Sequence, residues 1–336
     1  MTILMLAQFV PAACAEVPFN PPGKYSTSWL GNTYMDKNGN KEVTEELNDI
    51  CVSPNGHVFS AGYAETWGGG AEYNTANGSF LGRYDRFNSG FGDPVSCVAA
   101  NNTYVYYGTG GYGIMRAGHG GSLGPYTTYL SGDNIQGLYI KNGKMYVSDF
   151  GSGLIRVLNP STMVEERNWA CANPTRLTVD NSSNVWVVIY SPTSVQTPTT
   201  GPMWWGDKVA SFSATGTPGP IITNYDKPLS VAVDNSGLLL VGGLNTNNQI
   251  WQYDVSGTPV KVGTLGAEGG IFSGTAGAFT SSAKLHWIKA IVVDANDNII
   301  RVARMAAFGA TALKSSMRRA TCSGGSLRGP RWIAQG

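Results

Sequence analysis

Residues suited to acid–base or metal chemistry are few in this chain. It has three histidines, His57, His119 and His286, the side chains that titrate nearest neutral pH and the commonest metal ligands. They are scattered. His57 falls in a turn, His119 in a glycine-rich stretch, and only His286 lies just ahead of an apolar run, so a three-histidine metal centre is not expected. Asp36-Lys-Asn38-Gly-Asn40-Lys-Glu42 sets oxygen ligands at alternate positions as a calcium loop does, but its glycine comes too early and Leu47 stands where the bidentate Glu belongs; a solvated turn is expected. Gly108-Thr-Gly110-Gly-Tyr-Gly113 has dinucleotide-type spacing, yet no helix pattern follows to turn its N-terminus on a pyrophosphate. Gly120-Gly-Ser122-Leu-Gly124 matches a hydrolase nucleophile elbow, and Pro125 denies it the helix that the elbow requires.

The elements that must position any such residues are legible in the composition. Only 13% of the 336 residues are charged, Gly occupies 44 positions, and Tyr and Trp number 16 and 9, a mixture that suits short strands joined by tight turns. No stretch sustains helical periodicity, which excludes a helical bundle. The 42% hydrophobic content argues against disorder. The net charge is +1, but residues 301–336 hold Arg301, Arg304, Lys314, Arg318, Arg319, Arg328 and Arg331 and no acid. A mildly acidic body with one basic end is poor footing for nucleic-acid binding, so no nucleic-acid partner is expected.

A motif of apolar run, Asn/Asp/Ser/Gly turn and second apolar run recurs along the chain. Anchored on Val52, Val98, Ile140, Val179, Val233 and Val293, successive copies lie 46, 42, 39, 54 and 60 residues apart. Each copy reads as a β-hairpin, and further strands follow it, such as Gly153–Leu158 and Gln249–Asp254. Four strands per roughly 40–50 residues make one propeller blade, which must stack on neighbours to bury its faces. The expected fold is all-β, a six-bladed β-propeller with the last blade incomplete or atypical.

Pro174-Thr-Arg-Leu-Thr-Val-Asp180 and Pro228-Leu-Ser-Val-Ala-Val-Asp234-Asn-Ser-Gly237 carry a resemblance to the NHL-repeat and regucalcin/gluconolactonase-like six-bladed propellers. It spans roughly residues 45–300. It bears on fold more than on function, because propellers host lactonases, lyases and pure binding proteins. The resemblance implies a ligand site where the loops leading into the innermost strands converge on one mouth of the channel. Residues a few places before each anchor then ring that mouth: Asn48, Asp49, Gln136, Thr175, Arg176, Ser230 and Lys289, with His286 and Trp287 just upstream. Lactonases of this kind hold a divalent metal there with Glu, Asn and Asp and use an Asp as general base. Only Asn48-Asp49 looks comparable, and Arg176 and Lys289 would oppose a cation. No cofactor is expected, with a divalent cation such as calcium as the alternative. Trp204 and Trp205 on a Pro/Thr-rich insertion, and Trp67 ahead of three glycines, are candidate stacking surfaces for a sugar or peptide.

Residues 1–15 read as a signal peptide, an apolar run ending in Ala13-Cys14-Ala15. The usual positively charged opening is lacking, so a true start further upstream is one expectation. Residues 16–44 then form an extended N-terminal segment, 45–300 the propeller repeats and 301–336 a basic tail. Two readings of that tail stay open: a native tail with a short helix near Met305–Met317, or a frameshifted, non-native stretch. No membrane span is expected, since no apolar run is long enough. Cys51 and Cys97 occupy equivalent places in neighbouring repeats, and free thiols are expected. The expected product is a secreted or periplasmic monomer that binds an extracellular small polar ligand, glycan or protein. The alternative is a metal-dependent lactonase- or esterase-like hydrolase using Asp49.

Overall fold

The computed structural model describes residues 34–35, 41–42, 46–304 (except 65–66, 75–79, 85–94, 122–125, 191–204, 271–272 and 274–284), 311–315 and 332–334. The signal-peptide expectation, Trp204, Ser122 and most of the calcium-loop motif lie outside them. The described residues are all strand and turn. No helix among them is long and apolar enough to cross a membrane.

A two-residue pair, β1 (Tyr34–Met35) and β2 (Lys41–Glu42), precedes the repeats. The first four-stranded sheet is β3 (Glu46–Val52), β4 (His57–Ala64), β5 (Trp67–Asn74) and β6 (Phe80–Tyr84). The second is β7 (Val95–Ala100), β8 (Tyr104–Thr109), β9 (Ile114–Gly118) and β10 (Thr127–Tyr129). The third is β11 (Ile135–Lys141), β12 (Lys144–Asp149), β13 (Leu154–Leu158) and β14 (Glu165–Ala170). The fourth is β15 (Pro174–Val179), β16 (Val185–Tyr190), β17 (Gly206–Phe212) and β18 (Pro218–Ile222). The fifth is β19 (Pro228–Val233), β20 (Leu239–Gly243), β21 (Ile250–Asp254) and β22 (Val260–Leu265). Within each sheet the strands pair in chain order, all antiparallel, the order of a propeller blade.

Against an expectation of six, five blades are complete between Glu46 and Leu265. The last repeat supplies β23 (Ile288–Val293), β24 (Ile299–Arg304), β25 (Thr311–Ser315) and β26 (Trp332–Ala334), which pair in the same order. Two of these strands come from the stretch read as a basic tail. The helix expected near Met305–Met317 is replaced at Thr311–Ser315 by a strand, which takes up backbone groups that β24 would otherwise leave at an open edge. Trp67 is likewise not on a loop: it opens β5, opposite Ala64.

Burial falls from the axis outward. All six residues of β7 are buried, whereas no residue of β14 or β22 at the rim is. Apolar clusters between blades hold them face to face. Phe59 and Tyr84 pack on Val98 and Tyr107, Cys97 and Tyr106 on Ile135 and Met145, and Tyr146 and Ile155 on Leu177 and Val187. Trp186 and Val209 meet Val231 and Tyr253, and Leu240 and Ile250 meet Ile288 and Ile299. Leu47 and Ile50 of β3 share a cluster with Ala290 and Ile300, so the last repeat packs on the first and the ring closes. Each fully buried large apolar side chain contributes about 1.5–3 kcal/mol.

The turn between the two inner strands is built the same way in three blades. Asp180 accepts hydrogen bonds from the amides of Ser182 and Asn184, the Asn184 side chain and the Trp186 indole. Asp234 takes the amides of Ser236 and Leu238, and Asp294 those of Asn296 and Asn298. A carboxylate that gathers turn amides fixes the hairpin where the chain reverses. These acids serve the fold.

Candidate functional sites at the channel mouth and the opposite face

Strands β3, β7, β11, β15, β19 and β23 all line a central cavity of about 120 Å³, walled by Ile50, Val98, Leu138, Leu177, Val231 and Ile291 among others. Its polar residues include Asp49, Arg176 and Ser230, all three expected at the mouth. Arg176 is the pivot. Its Nη1 donates to the Gln136 carbonyl and its Nη2 to the Asn48 carbonyl, each at 2.8 Å, which ties the fourth blade to the third and the first. The Asp49 carboxylate lies 3.5 Å from Nη1 and accepts the Val98 amide at 3.1 Å.

Burial pushes the Asp49 carboxyl above its ordinary range, against the opposing pull of Arg176 and the amides of Val98 and Ile50. Desolvation is thus the strongest influence on this acid. Asn48 donates to the Val95 carbonyl at 3.0 Å, Gln136 to the Asn134 side chain at 2.6 Å, and Ser230 to the Ile288 carbonyl at 3.3 Å. Lys289 and Thr175 are buried, and Thr175 donates to Val188. All seven of these residues lie within inner strands, not on the loops leading into them. The polar groups of Asn48, Asp49, Gln136, Thr175, Arg176 and Ser230 are turned towards one another and towards backbone.

Among the described residues the thiols offer no nucleophile. Cys51, Cys97 and Cys171 are free, and burial raises the pKa of Cys51 strongly and pushes Cys97 and Cys171 up to about 12, far from the thiolate that reacts.

The more accessible part of the mouth is the lead-in to the inner strands. Asn173, Lys227 and Trp287 immediately precede β15, β19 and β23, and all three hold positive φ, 52°, 51° and 46°. The carbonyls of Asn173 and Lys227 accept the amides of Tyr190 and Leu244 across the hairpin. In these three repeats the residue ahead of the inner strand takes a backbone conformation unlike that of the strand that follows. An indole at such a φ is uncommon and sterically costly. Trp287 stacks on His286 with ring centroids 5.6 Å apart and planes at 27°, and His286 Nδ1 lies 3.0 Å from the Asn248 side chain. Lys227 Nζ sits 5.8 Å over the Trp205 ring, within cation–π range. His286, Trp287 and Trp205 are half-buried near the lead-in ends of their strands.

At the other end of β3 the structure overturns the expectation that the histidines are scattered. His57, opening β4 of the first blade, and His119, just after β9 of the second, have ring centroids 5.8 Å apart. Between them is Glu72 of β5, a residue the sequence reading passed over and the only charged residue in Trp67–Asn74. Register explains the meeting. His57 pairs with Asn74 and Phe59 with Glu72, so His57 and Glu72 share a sheet face as diagonal neighbours. His119 arrives because the loop after β9 docks against the first blade. Gly120 and Gly121 adopt φ of 94° and 86°, and a Cβ on Gly82 of β6 would lie 2.4 Å from the Gly120 backbone.

Glu72 is 1% exposed. Its Oε2 accepts the Tyr84 hydroxyl at 2.6 Å and the Gly120 amide at 2.7 Å, while Oε1 is 2.5 Å from His57 Nδ1 and 3.8 Å from His119 Nδ1. Burial drives its pKa up most strongly, but the bonds from Tyr84, Gly120 and His57 and the nearness of His119 together bring it below the usual range. Phe59 closes one side, 4.8 Å from the His119 ring.

No family model matches the chain and no curated protein is similar to it. Solved structures are. A protein of unknown function from Bacteroides caccae is 13% identical with a TM-score of 0.55, over 77% of this chain and 89% of that one. A chain in the structure of the mitotic checkpoint complex is 14% identical with a TM-score of 0.52, over 94% of this chain and 86% of that one. At such identities the likeness establishes the β-propeller fold alone.

Proposed function

We propose that this β-propeller is a non-catalytic binding protein, exported from the cell, that takes a small polar ligand or glycan at the channel mouth, and that β23–β26 complete the ring as its sixth blade. One observation carries the choice of binding over catalysis. Asp49, the acid a lactonase-like hydrolase would need, is buried and accepts the Val98 amide beside Arg176. A carboxylate so engaged is a poor ligand for a cation and a poor base for water. What the mouth does present is half-buried aromatic surface beside hydrogen-bonding groups: the His286–Trp287 stack and the Lys227–Trp205 pair. Aromatic faces next to polar groups suit the alternating apolar and hydroxyl faces of a sugar.

Calorimetric titration of a panel of neutral sugars, sugar acids and their lactones tests this, alongside a lactone-hydrolysis assay with and without chelator. Saturable binding weakened by Trp287→Ala, without turnover, supports the reading. Chelator-sensitive hydrolysis lost in Asp49→Asn replaces it with the hydrolase.

A further inference from the structure

We propose that His57, Glu72 and His119 form a binding site for a divalent transition-metal ion, of the class represented by Zn²⁺. The site is at the opposite end of β3 from the mouth and does not depend on the binding reading above. The donor atoms of the three residues all lie within 4.8 Å of one another, so a modest adjustment brings them to the ~2.0–2.2 Å metal–ligand distances of a zinc site. Two imidazoles and one carboxylate form a donor set of borderline softness that suits zinc. Calcium, with its demand for six to eight oxygens, does not fit.

The surroundings are arranged as a support for such an ion. Tyr84 and the Gly120 amide hold Glu72 through Oε2, which fixes the carboxylate and leaves Oε1 facing both rings. Orienting contacts of this kind are the usual outer shell of a metal centre. The contacts of His119 leave it free to join an ion. His119 Nδ1 lies 3.8 Å from the Glu72 oxygen, too far for a hydrogen bond, and 3.5 Å from the Asn55 side-chain nitrogen, a long contact. His119 Nε2 is buried with no hydrogen-bond partner among the described residues. A cation would take the place of the proton between His57 and Glu72 and draw His119 into the same donor set. With His57 and His119 at 26% and 15% side-chain exposure, solvent reaches the site to complete a tetrahedral shell.

The test uses the full chain, freed of any affinity tag and stripped with chelator. Zn²⁺ is titrated by calorimetry, and Co²⁺ is added to a second sample to read its visible absorption. The expected result is about one equivalent bound per chain, with tetrahedral-type cobalt bands. His57→Gln and His119→Gln should each weaken binding at least about tenfold while the far-ultraviolet circular dichroism stays that of the parent. Glu72→Gln should do the same; because its carboxylate also anchors Tyr84 and Gly120, the two histidine variants carry the test if that protein fails to fold. Absence of stoichiometric Zn²⁺ binding would overturn the proposal, leaving only a His57–Glu72 ion pair. So would binding that is unchanged in both histidine variants.

Discussion

The guanidinium of Arg176 and the carboxylate of Asp49 lie 3.5 Å apart at the channel, and each is also bonded to the backbone of another blade. Arg176 reaches the Asn48 and Gln136 carbonyls, and Asp49 the Val98 amide. The pair is a cross-brace among four blades. Replacing Arg176 with Gln strands the two carbonyls and removes the charge that restrains the Asp49 pKa. Hydrogen bonds from a charged donor are worth about 1.5–3 kcal/mol, so a loss of about 2–4 kcal/mol is expected, read as a lower urea midpoint at pH 7.

Asp49 also makes stability depend on pH. Burial raises its folded-state pKa, so folding favours the protonated acid. The corresponding stability is fully present below the unfolded pKa, about 3.9, and is lost as pH rises through the raised folded value. Urea midpoints from acid to neutral pH, compared between the parent and Asp49→Asn, isolate this contribution from those of the other acids. The parent should lose stability relative to Asp49→Asn as pH rises, and Arg176→Gln should steepen the loss.

Asp180 offers a sharper structural test. Its side chain receives two turn amides, the Asn184 amide group and the indole of Trp186, which is 1% exposed. Asp180→Ala leaves those donors without their acceptor at roughly 1–3 kcal/mol for each one that stays dry. A total near 3 kcal/mol is expected by chemical denaturation, with Asp180→Asn costing less because its carbonyl still accepts.

Gly243, closing β20, shows why the mouth tolerates little change. A Cβ there would sit 2.2 Å from the Lys227 carbonyl, the same carbonyl that accepts the Leu244 amide. Gly243→Ala must push the lead-in to β19 away. It should lower the melting temperature by several degrees, corresponding to the ~1–3 kcal/mol of an overpacked site.

The six hairpins were legible because each carries its own evidence: β-branched arms of period two around a turn that tolerates positive φ, as at Asn142-Gly143. The position of Arg176, three places before the Val179 anchor, was legible for the same reason, although the structure sets it within β15 and not ahead of it. What Arg176 does there was not. Its partner carbonyl at Asn48 is 128 residues away, and only ring closure brings them together. The cluster on the far face was hidden more completely. His57, Glu72 and His119 stand in no motif, and their meeting depends on the β4–β5 register and on a glycine loop docking between blades. One signal was available: a lone Glu in the Gly-rich strand Trp67–Asn74, where burying a charge requires nearby partners. The helix that one reading of the tail placed near Met305–Met317 gives way at Thr311–Ser315 to a strand, because local composition says nothing about the open edge of β24 beside it.

The binding claim is tested most directly by hydrogen exchange in the presence of the tightest ligand from the sugar panel. Protection should gather at the lead-ins Asn173–Arg176, Lys227–Ser230 and His286–Lys289, with the Ser53–His57 turn and the Gly118–Gly121 loop unchanged. Protection confined to that turn and loop, or none at the three lead-ins, would contradict a ligand site at the channel mouth.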